Sequence, residues 1–465
     1  MRTLISSRAR LVAVTGATII GLLPFAACSD LREDLLAADD PDIITPESAN
    51  SVQGAEALRI GAMSRLQQIT AGGENTWLLG GLLVDEWKSS DTFSQRNETD
   101  ERKVAENNGN VMGMYRATQR ARISAREAIV KLLEYKPTPA WGIGQMYFVI
   151  GFTEMTLAEN FCNGIPLSDA STGEVIYGPP LTNVQIFNLA LAHLDSALTY
   201  LGATDAATTD VRRATLVTKA RVLLNLARWN DAASSITPAQ VPTTYQHVAT
   251  FSLTTGSNQI WSLNTSAKRW TVGDSMDASG RIVNAIPFAS AKDPRIPVTG
   301  TTLGTSPAGR GFDTQTNFVY QTIWGRIDAT PIVSGLDARL MEAEIRLRAD
   351  DYAGMMTILN ALRAAPVPLS NTYTPAAMAA LPTPTSKDAA IDLYFREKAF
   401  WTFGRGQRLP DLRRLVRQYA RPQTAVFPQG TFFKTNTPYG TDVNFPVTTD
   451  ELNNPEFNGC IDRSA

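Results

Sequence analysis

The sequence contains few residues whose types and spacing could support catalysis. Gly273-Asp274-Ser275-Met276-Asp277 is similar to the nucleophile motif of some esterases, in which a later histidine deprotonates the serine. The only histidines, His193 and His247, both precede this serine, so we expect no such reaction. No His-Glu-x-x-His, Cys-x-x-Cys or Gly-Lys-Ser/Thr pattern occurs, and we expect no metal and no cofactor.

Aromatic residues in loop-like sequence could bind a ligand without chemistry. Flat aromatic faces pack against the CH surfaces of sugars, while fixed polar groups bind the hydroxyls. The ligand-binding candidates are Trp77, Trp87, Trp270 and Trp324, which have Asn, Asp, Lys or Arg nearby. Packing in the core is the alternative for each of them. Trp229 and Trp401 lie in helical patterns, and we assign both to the core.

Seven arginines between Arg396 and Arg421 could bind an anion. A structural role fits them better: Arg396 would pair with a nearby carboxylate such as Glu397 or with carbonyls, and the stems of Arg413 and Arg414 would cover apolar surface. The whole chain has a formal net charge of −2, and nucleic-acid binders usually carry a clear basic excess. We therefore expect no nucleic-acid partner.

The first 27 residues are typical of a secretory signal peptide, with a basic leader followed by a mostly apolar run over 11–25. This run is shorter than the roughly 20 apolar residues that a membrane-crossing helix needs. Ala26 and Ala27 lead into Cys28, an arrangement that resembles a bacterial lipobox. We expect cleavage before Cys28 and lipidation of its thiol, which anchors the protein to a membrane. A plain secreted protein with a chance cysteine at this position is the alternative.

Residues 28–47 are rich in Asp and Pro and read as an acidic tether between the lipid and the body. If Cys28 is lipidated, Cys162 and Cys460 remain. An exported protein can form disulfides, so these two cysteines could pair; two unrelated buried thiols are the alternative.

The elements that must position these residues are mainly helical. Apolar residues at helical spacing predict helices over 56–69, 111–135, 143–161 and 184–201. Residues 220–236 align without gaps on 343–359, with Trp229 matching Tyr352. The shared plan is a helix, a tight polar turn and a second helix, which is the logic of tetratricopeptide hairpins. We expect an aromatic residue after the turn to pack between the two helices.

Between these two hairpins the sequence changes character. Over 242–331 Thr, Ser, Asn and Gly dominate and helical spacing is lost, which predicts short strands and long loops. Binding residues often lie on loops held by a rigid scaffold. The body therefore divides into a helical part at 48–241, a loop-rich insertion at 242–331 on the expected ligand side, and a helical C-terminal part at 332–465.

Several segments together resemble the SusD/RagB family of outer-membrane nutrient-binding lipoproteins. The clearest are residues 340–352, 359–363, 393–401 and 408–414, the last of which ends in Asp-Leu-Arg-Arg. Supporting segments lie at 83–91, 159–167, 292–295, 445–446 and 451–455. They follow the family order over nearly the whole mature chain. The turn at 403–408 and the two spare cysteines depart from the general family pattern, and no ligand-binding residue transfers from the family.

The resemblance implies an α-α superhelical scaffold of tetratricopeptide-like hairpins on the outer membrane, facing outward. It also implies a TonB-dependent SusC-like transporter as partner, and capture of oligosaccharides or other polymer fragments without catalysis. Two other functions remain open. One is a surface scaffold that binds a protein. The other is a glycan-cleaving lipoprotein, since the two carboxylates of a glycosidase can come from anywhere in a sequence.

Overall fold

The structure, a computed structural model, describes residues 49–172, 174–277, 280–300 and 309–465. The expected signal peptide (1–27), the lipidation site Cys28 and the acidic tether (28–47) lie outside these ranges. Among the helices in the described ranges, none combines the length and the apolar character needed to cross a membrane.

The described chain is mainly α-helical, as the sequence predicts. The helices are α1 (Val52–Gln68), α2 (Thr76–Leu82), α3 (Ser94–Asp100), α4 (Gly109–Tyr135), α5 (Trp141–Asn160), α6 (Asn183–Thr199), α7 (Ala206–Asn225), α8 (Trp229–Ser235), α9 (Gly335–Arg348), α10 (Tyr352–Ala364), α11 (Lys387–Trp401), α12 (Arg408–Tyr419) and α13 (Gln423–Val426). Helix α1 packs on α4, and each helix from α4 to α8 packs on the next.

Side-chain caps define where several of these helices begin. Thr182 precedes α6 and accepts a hydrogen bond from the backbone of Gln185, whose side chain accepts one from the backbone of Thr182 in return. Ser334 and Asp337 form the same reciprocal arrangement at the start of α9. Such capping boxes bind backbone N–H groups that the first helical turn leaves without partners.

The two aligned segments form the predicted hairpins, α7 with α8 and α9 with α10. The matched aromatics Trp229 and Tyr352 each begin the second helix, and both are partly buried against the core. The guanidinium carbon of Arg348, at the end of α9, lies 4.9 Å from the centre of the Trp229 ring. The aromatic residue of the first hairpin therefore also contacts the second hairpin.

The strands are short and pair two by two. They are β1 (Trp87–Ser89), β2 (Ile165–Pro166), β3 (Pro180–Leu181), β4 (Gln246–Ala249), β5 (Trp270–Val272), β6 (Met276–Asp277), β7 (Gly280–Arg281), β8 (Val298–Gly300), β9 (Val319–Gln321), β10 (Thr330–Ser334), β11 (Thr431–Phe432) and β12 (Thr437–Pro438). The pairs are β1 with β5, β4 with β10, β2 with β3, β6 with β7, β8 with β9 and β11 with β12, all antiparallel. The loop-rich stretch between the two hairpins thus contains short strands and loops, as predicted.

Candidate functional site

All four tryptophans expected to bind a ligand are buried. Their exposed fractions are 4% for Trp77, 0% for Trp87 and Trp270, and 2% for Trp324. A ring enclosed to this degree offers no face to a sugar, so the expectation that these residues bind the ligand is wrong. They pack in the core, which was the alternative. Trp401 is buried as predicted, with 1% exposed.

The turn between α11 and α12 explains part of this burial. Gly404 and Gly406 have φ values of 67° and 65°, a left-handed conformation that glycine adopts without strain. A Cβ atom at Gly406 would lie 2.3 Å from Cδ1 of Trp77, and one at Gly404 would lie 3.2 Å from ring atoms of both Trp87 and Trp324. The glycines let three tryptophans pack directly on this backbone. The turn at 403–408 is therefore a packing element.

Cys162 and Cys460 form a disulfide, with their Cα atoms 5.9 Å apart. Cys162 follows the end of α5, and Cys460 lies five residues before the last residue. Backbone hydrogen bonds run alongside it, from the N–H of Cys162 to the carbonyl of Phe445 and from the N–H of Ile461 to the carbonyl of Asn163. The disulfide therefore joins the C-terminal segment to the end of α5.

Most of the arginines between Arg396 and Arg421 have structural partners. The buried ion pairs join Arg405 to Asp337, Arg408 to Asp85, and Arg414 to Glu344. Arg421 pairs with Asp388 and Asp392 at the surface. Glu397, the example given of a carboxylate partner for Arg396, pairs instead with Arg295 and Arg363, and Arg396 lies over the ring of Phe400.

Arg413 is buried and binds backbone. Its Nη1 donates to the carbonyls of Ala158, Glu159 and Phe161, at the C-terminal end of α5. A cation at a helix C-terminus binds carbonyls that have no partner within the helix. Burial lowers the pKa of Arg413 well below its usual value. This arginine therefore acts as a cap for α5.

The residues of the serine motif and the histidines are bonded elsewhere. The carboxylate of Asp274 accepts hydrogen bonds from the Ser275 backbone and the Ser290 hydroxyl. Nδ1 of His193 lies 2.8 Å from Glu154, and Nδ1 of His247 lies 2.9 Å from Asp210. The structure does not bring a histidine and this serine together as a nucleophilic pair.

The aromatic side chains that are open to solvent are ones that the sequence reasoning missed. Among the described residues, three aromatic side chains are largely exposed: Phe93 (49%), Phe312 (45%) and Tyr177 (44%). Two of them contact the same cation. The guanidinium carbon of Arg269 lies 3.8 Å from the ring centre of Phe312 and 4.9 Å from that of Phe93. We call these three residues the Phe93–Arg269–Phe312 cluster.

Strand pairing brings the first two members of the cluster together. In the antiparallel pair of β1 and β5, Ser89 lies opposite Trp270. The residues that follow β1 therefore lie beside the residues that precede β5. Ser90 continues the contact, because its N–H donates to the carbonyl of Arg269 and its hydroxyl donates to the carbonyl of Lys268.

The loop that carries Phe312 is attached to the same backbone. The N–H of Phe312 donates to the carbonyl of Lys268 at 2.8 Å, and the N–H of Asp313 donates to the carbonyl of Ser90 at 3.0 Å. A Cβ atom at Gly311 would lie 2.3 Å from Cβ of Ser90, so this close approach requires glycine. Phe312 therefore has a fixed position relative to Arg269.

A buried carboxylate orients the arginine. Asp91, whose side chain is fully buried, accepts hydrogen bonds from Nη1 of Arg269 at 2.8 and 3.1 Å and also pairs with Arg96. Burial disfavours ionisation of Asp91, but the hydrogen bonds from Arg269 and Arg96 outweigh it and hold its pKa below the usual value. Asp91 is therefore ionised at neutral pH and fixes Arg269 between strand β5 and the phenylalanine loops.

The C-terminal part of the chain contributes a lysine to the same region. Nζ of Lys434 donates to the carbonyl of Asp91 at 2.7 Å and to the side-chain oxygen of Asn97 at 2.9 Å. The same ammonium lies 2.9 Å from the carboxylate of Asp313. Lys434 thus links the loop after β1, the Phe312 loop and the segment between β11 and β12.

This arrangement is suited to binding and poorly suited to hydrolysis. Half-exposed rings can pack on sugar CH faces, and the guanidinium and ammonium groups can donate to sugar oxygens. A glycosidase needs a carboxylic acid with a raised pKa next to a second carboxylate. Burial disfavours ionisation of Asp313, but hydrogen bonds from Thr316 and Lys434 have the larger effect and lower its pKa. The pKa of Asp91 is lowered as well.

Sequence reasoning concentrated on tryptophan and overlooked phenylalanine. Phe93 stands within Asp91-Thr92-Phe93-Ser94 and Phe312 within Gly311-Phe312-Asp313. A single aromatic residue between turn-forming polar residues has no apolar neighbours in sequence with which to pack, and this pattern indicates an exposed ring. This signal could have identified both residues.

Comparisons with known proteins identify solved structures that share this fold. No family model matches the sequence, and no curated protein resembles it significantly. Among solved structures, a SusD superfamily protein from Bacteroides vulgatus is similar with a TM-score of 0.60 at 16% identity, covering 88% of this chain and 98% of that one. A SusD/RagB family protein from Bacteroides thetaiotaomicron has a TM-score of 0.62 at 13% identity, covering 86% and 94%.

A third similar structure is described as a laminarin-binding SusD-like protein. It has a TM-score of 0.53 at 11% identity and covers 89% of this chain and 99% of that one. All three likenesses extend over nearly the full length of the solved chains. The protein described here therefore has the SusD-like fold.

Proposed function

We propose that this protein belongs to the SusD-like lipoproteins and captures oligosaccharides at the surface of the outer membrane, for delivery to a TonB-dependent SusC-like transporter. The observation that carries the proposal is the Phe93–Arg269–Phe312 cluster, an exposed aromatic surface on a SusD-like fold. The ordered sequence resemblance to SusD/RagB proteins and the laminarin-binding structural neighbour support a saccharide as the ligand class.

The charges at the cluster support capture without cleavage at this surface. Asp91 and Asp313 are ion-paired and have lowered pKa values, so neither is poised to donate a proton to a glycosidic oxygen. A binding protein that passes its ligand to a transporter needs only contact and release. Incubation of the purified protein with oligosaccharides should leave them intact, as judged by chromatography of the products.

Oligosaccharide binding is tested by removing the two rings. Loss of both stacking surfaces in the double variant F93A/F312A should weaken binding at least about fivefold, since each aromatic contact is worth about 0.5–1.5 kcal/mol. Isothermal titration with a panel of soluble oligosaccharides measures the change. The control is Y177A, which removes the third exposed aromatic ring and should bind like the wild type. Equal affinity of F93A/F312A and the wild type for every bound oligosaccharide contradicts the proposal.

The lipid anchor and the transporter are tested in cells. Metabolic labelling with a palmitate analogue should mark the wild-type protein and not a C28A variant; a C28A protein that still labels refutes the anchor. Crosslinking followed by purification should recover a large β-barrel transporter. Recovery of another protein in place of a barrel would favour a tetratricopeptide-like scaffold that binds a protein.

A further inference from the structure

The charges around the Phe93–Arg269–Phe312 cluster do not cancel. Three carboxylates in this region, those of Glu74, Asp91 and Asp313, are ion-paired to three cations, Arg96, Arg269 and Lys434. All three carboxylates are largely covered, with side-chain exposures of 19%, 0% and 8%. The acidic groups therefore lie beneath the surface and are compensated there.

Two further cations lie in the segments that form the cluster, and both are exposed. The ammonium of Lys268, next to Arg269 in sequence, lies 5.5 Å from the ring centre of Phe318. Arg310, two residues before Phe312, donates to the carbonyl of Gln315 and to the side-chain oxygen of Asn317, both neutral groups. Neither contact neutralises a positive charge. Lys268 and Arg310 therefore each place a positive charge on the exposed surface next to the cluster.

The sequence next to the cluster does not alter this balance. Residues 301–308, which lead into the Phe312 loop, contain no ionisable side chain. The local excess contrasts with the formal charge of −2 of the whole protein. The positive charge is thus a property of this surface and does not reflect a basic protein.

Arg and Lys side chains are hydrogen-bond donors only, and the carboxylates Glu74, Asp91 and Asp313, which could accept from sugar hydroxyls, are engaged in ion pairs. A sugar hydroxyl is both donor and acceptor, whereas a carboxylate or sulfate group is an acceptor with a negative charge. Donors that are charged, exposed and adjacent to aromatic rings match a sugar ring that carries an anionic substituent. Arg269 adds a guanidinium whose Nη1 is bound to Asp91 and whose side chain remains 22% exposed.

We infer that the ligand captured at the Phe93–Arg269–Phe312 cluster is an acidic saccharide, whose carboxylate or sulfate groups bind Lys268, Arg269 and Arg310 while its ring faces pack on the phenylalanines. This inference rests on the proposed saccharide-binding function and specifies the ligand class of the same surface.

The test compares saccharides that differ only in charge. Oligogalacturonides are compared with their methyl esters, which probes a carboxylate, and dextran sulfate is compared with dextran, which probes a sulfate. The charged member of at least one pair should bind more tightly than its neutral counterpart to the wild-type protein. Its affinity should fall as salt is raised from about 0.05 to 0.5 M, because salt screens exposed charges.

The variant K268Q/R310Q should weaken binding of that charged saccharide about fivefold, as expected for the loss of two exposed charge contacts. The control K387Q/R346Q removes one lysine and one arginine that are 57% and 60% exposed on helices α11 and α9, and its affinity should equal that of the wild type. Circular dichroism verifies that both variants are folded.

The outcomes separate the two proposals. Equal or tighter binding of the neutral member in both pairs overturns the acidic ligand and leaves the saccharide-binding function standing. Unchanged affinity in K268Q/R310Q likewise overturns it. Failure of the wild-type protein to bind any saccharide, charged or neutral, overturns the proposed function and this inference together.

Discussion

The guanidinium carbon of Arg269 lies 3.8 Å from the centre of the Phe312 ring, although 42 residues separate the two in sequence. The arginine immediately precedes strand β5, the carbonyl of Lys268 accepts a hydrogen bond from the N–H of Phe312, and Asp91 accepts two hydrogen bonds from the arginine. The exposed ring is thus supported by a cation whose own position is determined by a buried carboxylate.

Replacing Asp91 with Asn should destabilise the protein by about 3 kcal/mol, because it leaves Arg269 without a carboxylate partner and Arg96 with Glu74 alone. Urea unfolding measures the loss. The pKa of Asp91 is lowered, so its contribution is present at neutral pH and disappears as the pH falls through the folded-state pKa. The difference between wild type and D91N should therefore shrink in acid.

The matched control is D392N, which removes a carboxylate that is 75% exposed and paired with Arg421. Exposed pairs contribute about 0–1 kcal/mol, so the free energy of unfolding should change by less than about 0.5 kcal/mol. A D91N protein as stable as D392N would show that Asp91 does not support the cluster.

Glu86 should make the protein less stable as the pH rises. Burial raises the pKa of Glu86 to about 8, opposed in part by a hydrogen bond from the N–H of Gly404. The unfolded chain releases this proton near the usual pKa, whereas the folded protein keeps it until about pH 8. Between about pH 5 and pH 8, the free energy of unfolding should fall by up to about 1.4 kcal/mol per pH unit from this group.

An E86Q variant should remove that slope, because Gln is neutral at every pH and keeps the acceptor for Gly404. Chemical unfolding at pH 5, 6.5 and 8 measures the slope in each protein. The control E134Q replaces a carboxylate that is 55% exposed on α4 and should show the slope of the wild type. Parallel pH profiles for E86Q and the wild type would show that Glu86 ionises normally.

The disulfide between Cys162 and Cys460 should stabilise the C-terminal segment. A C162A/C460A variant should lose about 2–4 kcal/mol, because the disulfide restricts the unfolded chain. Limited proteolysis should then cleave near the C-terminus, and mass spectrometry identifies the site. Reductant serves as the control: it should lower the Tm of the wild type and leave the Tm of the variant unchanged. Equal Tm values without reductant would refute the prediction.

Gly406→Ala should destabilise the protein by about 2–4 kcal/mol. Its φ of 65° strains any residue with a Cβ atom, and that atom would lie 2.3 Å from Cδ1 of Trp77. Gly113→Ala is the control, since a Cβ atom there meets nothing within 4 Å on the exposed face of α4. It should stabilise the protein by about 0.5–1 kcal/mol through helix propensity. Thermal unfolding measures the change in stability of both variants. A G406A protein as stable as the wild type refutes the steric argument.

The helices could be predicted because their signal is local. Apolar spacing between residues 111 and 135 predicts α4, which the structure places at Gly109–Tyr135, and the match of residues 220–236 to 343–359 predicts the two hairpins. Each of these patterns lies within one continuous stretch of chain. The physical cause is that a helix forms its hydrogen bonds within its own segment.

Exposure of the aromatic residues could not be predicted in this way. Trp87 and Phe93 are six residues apart in similar sequence, yet Trp87 is fully buried and Phe93 is 49% exposed. Trp87 is covered by Gly404 and by strand β5, which are distant in sequence, whereas the neighbours of Phe93 are the cations Arg96 and Arg269. The sequence by itself determined the helical hairpins, and tertiary packing decided which rings face solvent, because burial depends on segments that meet only after the chain has folded.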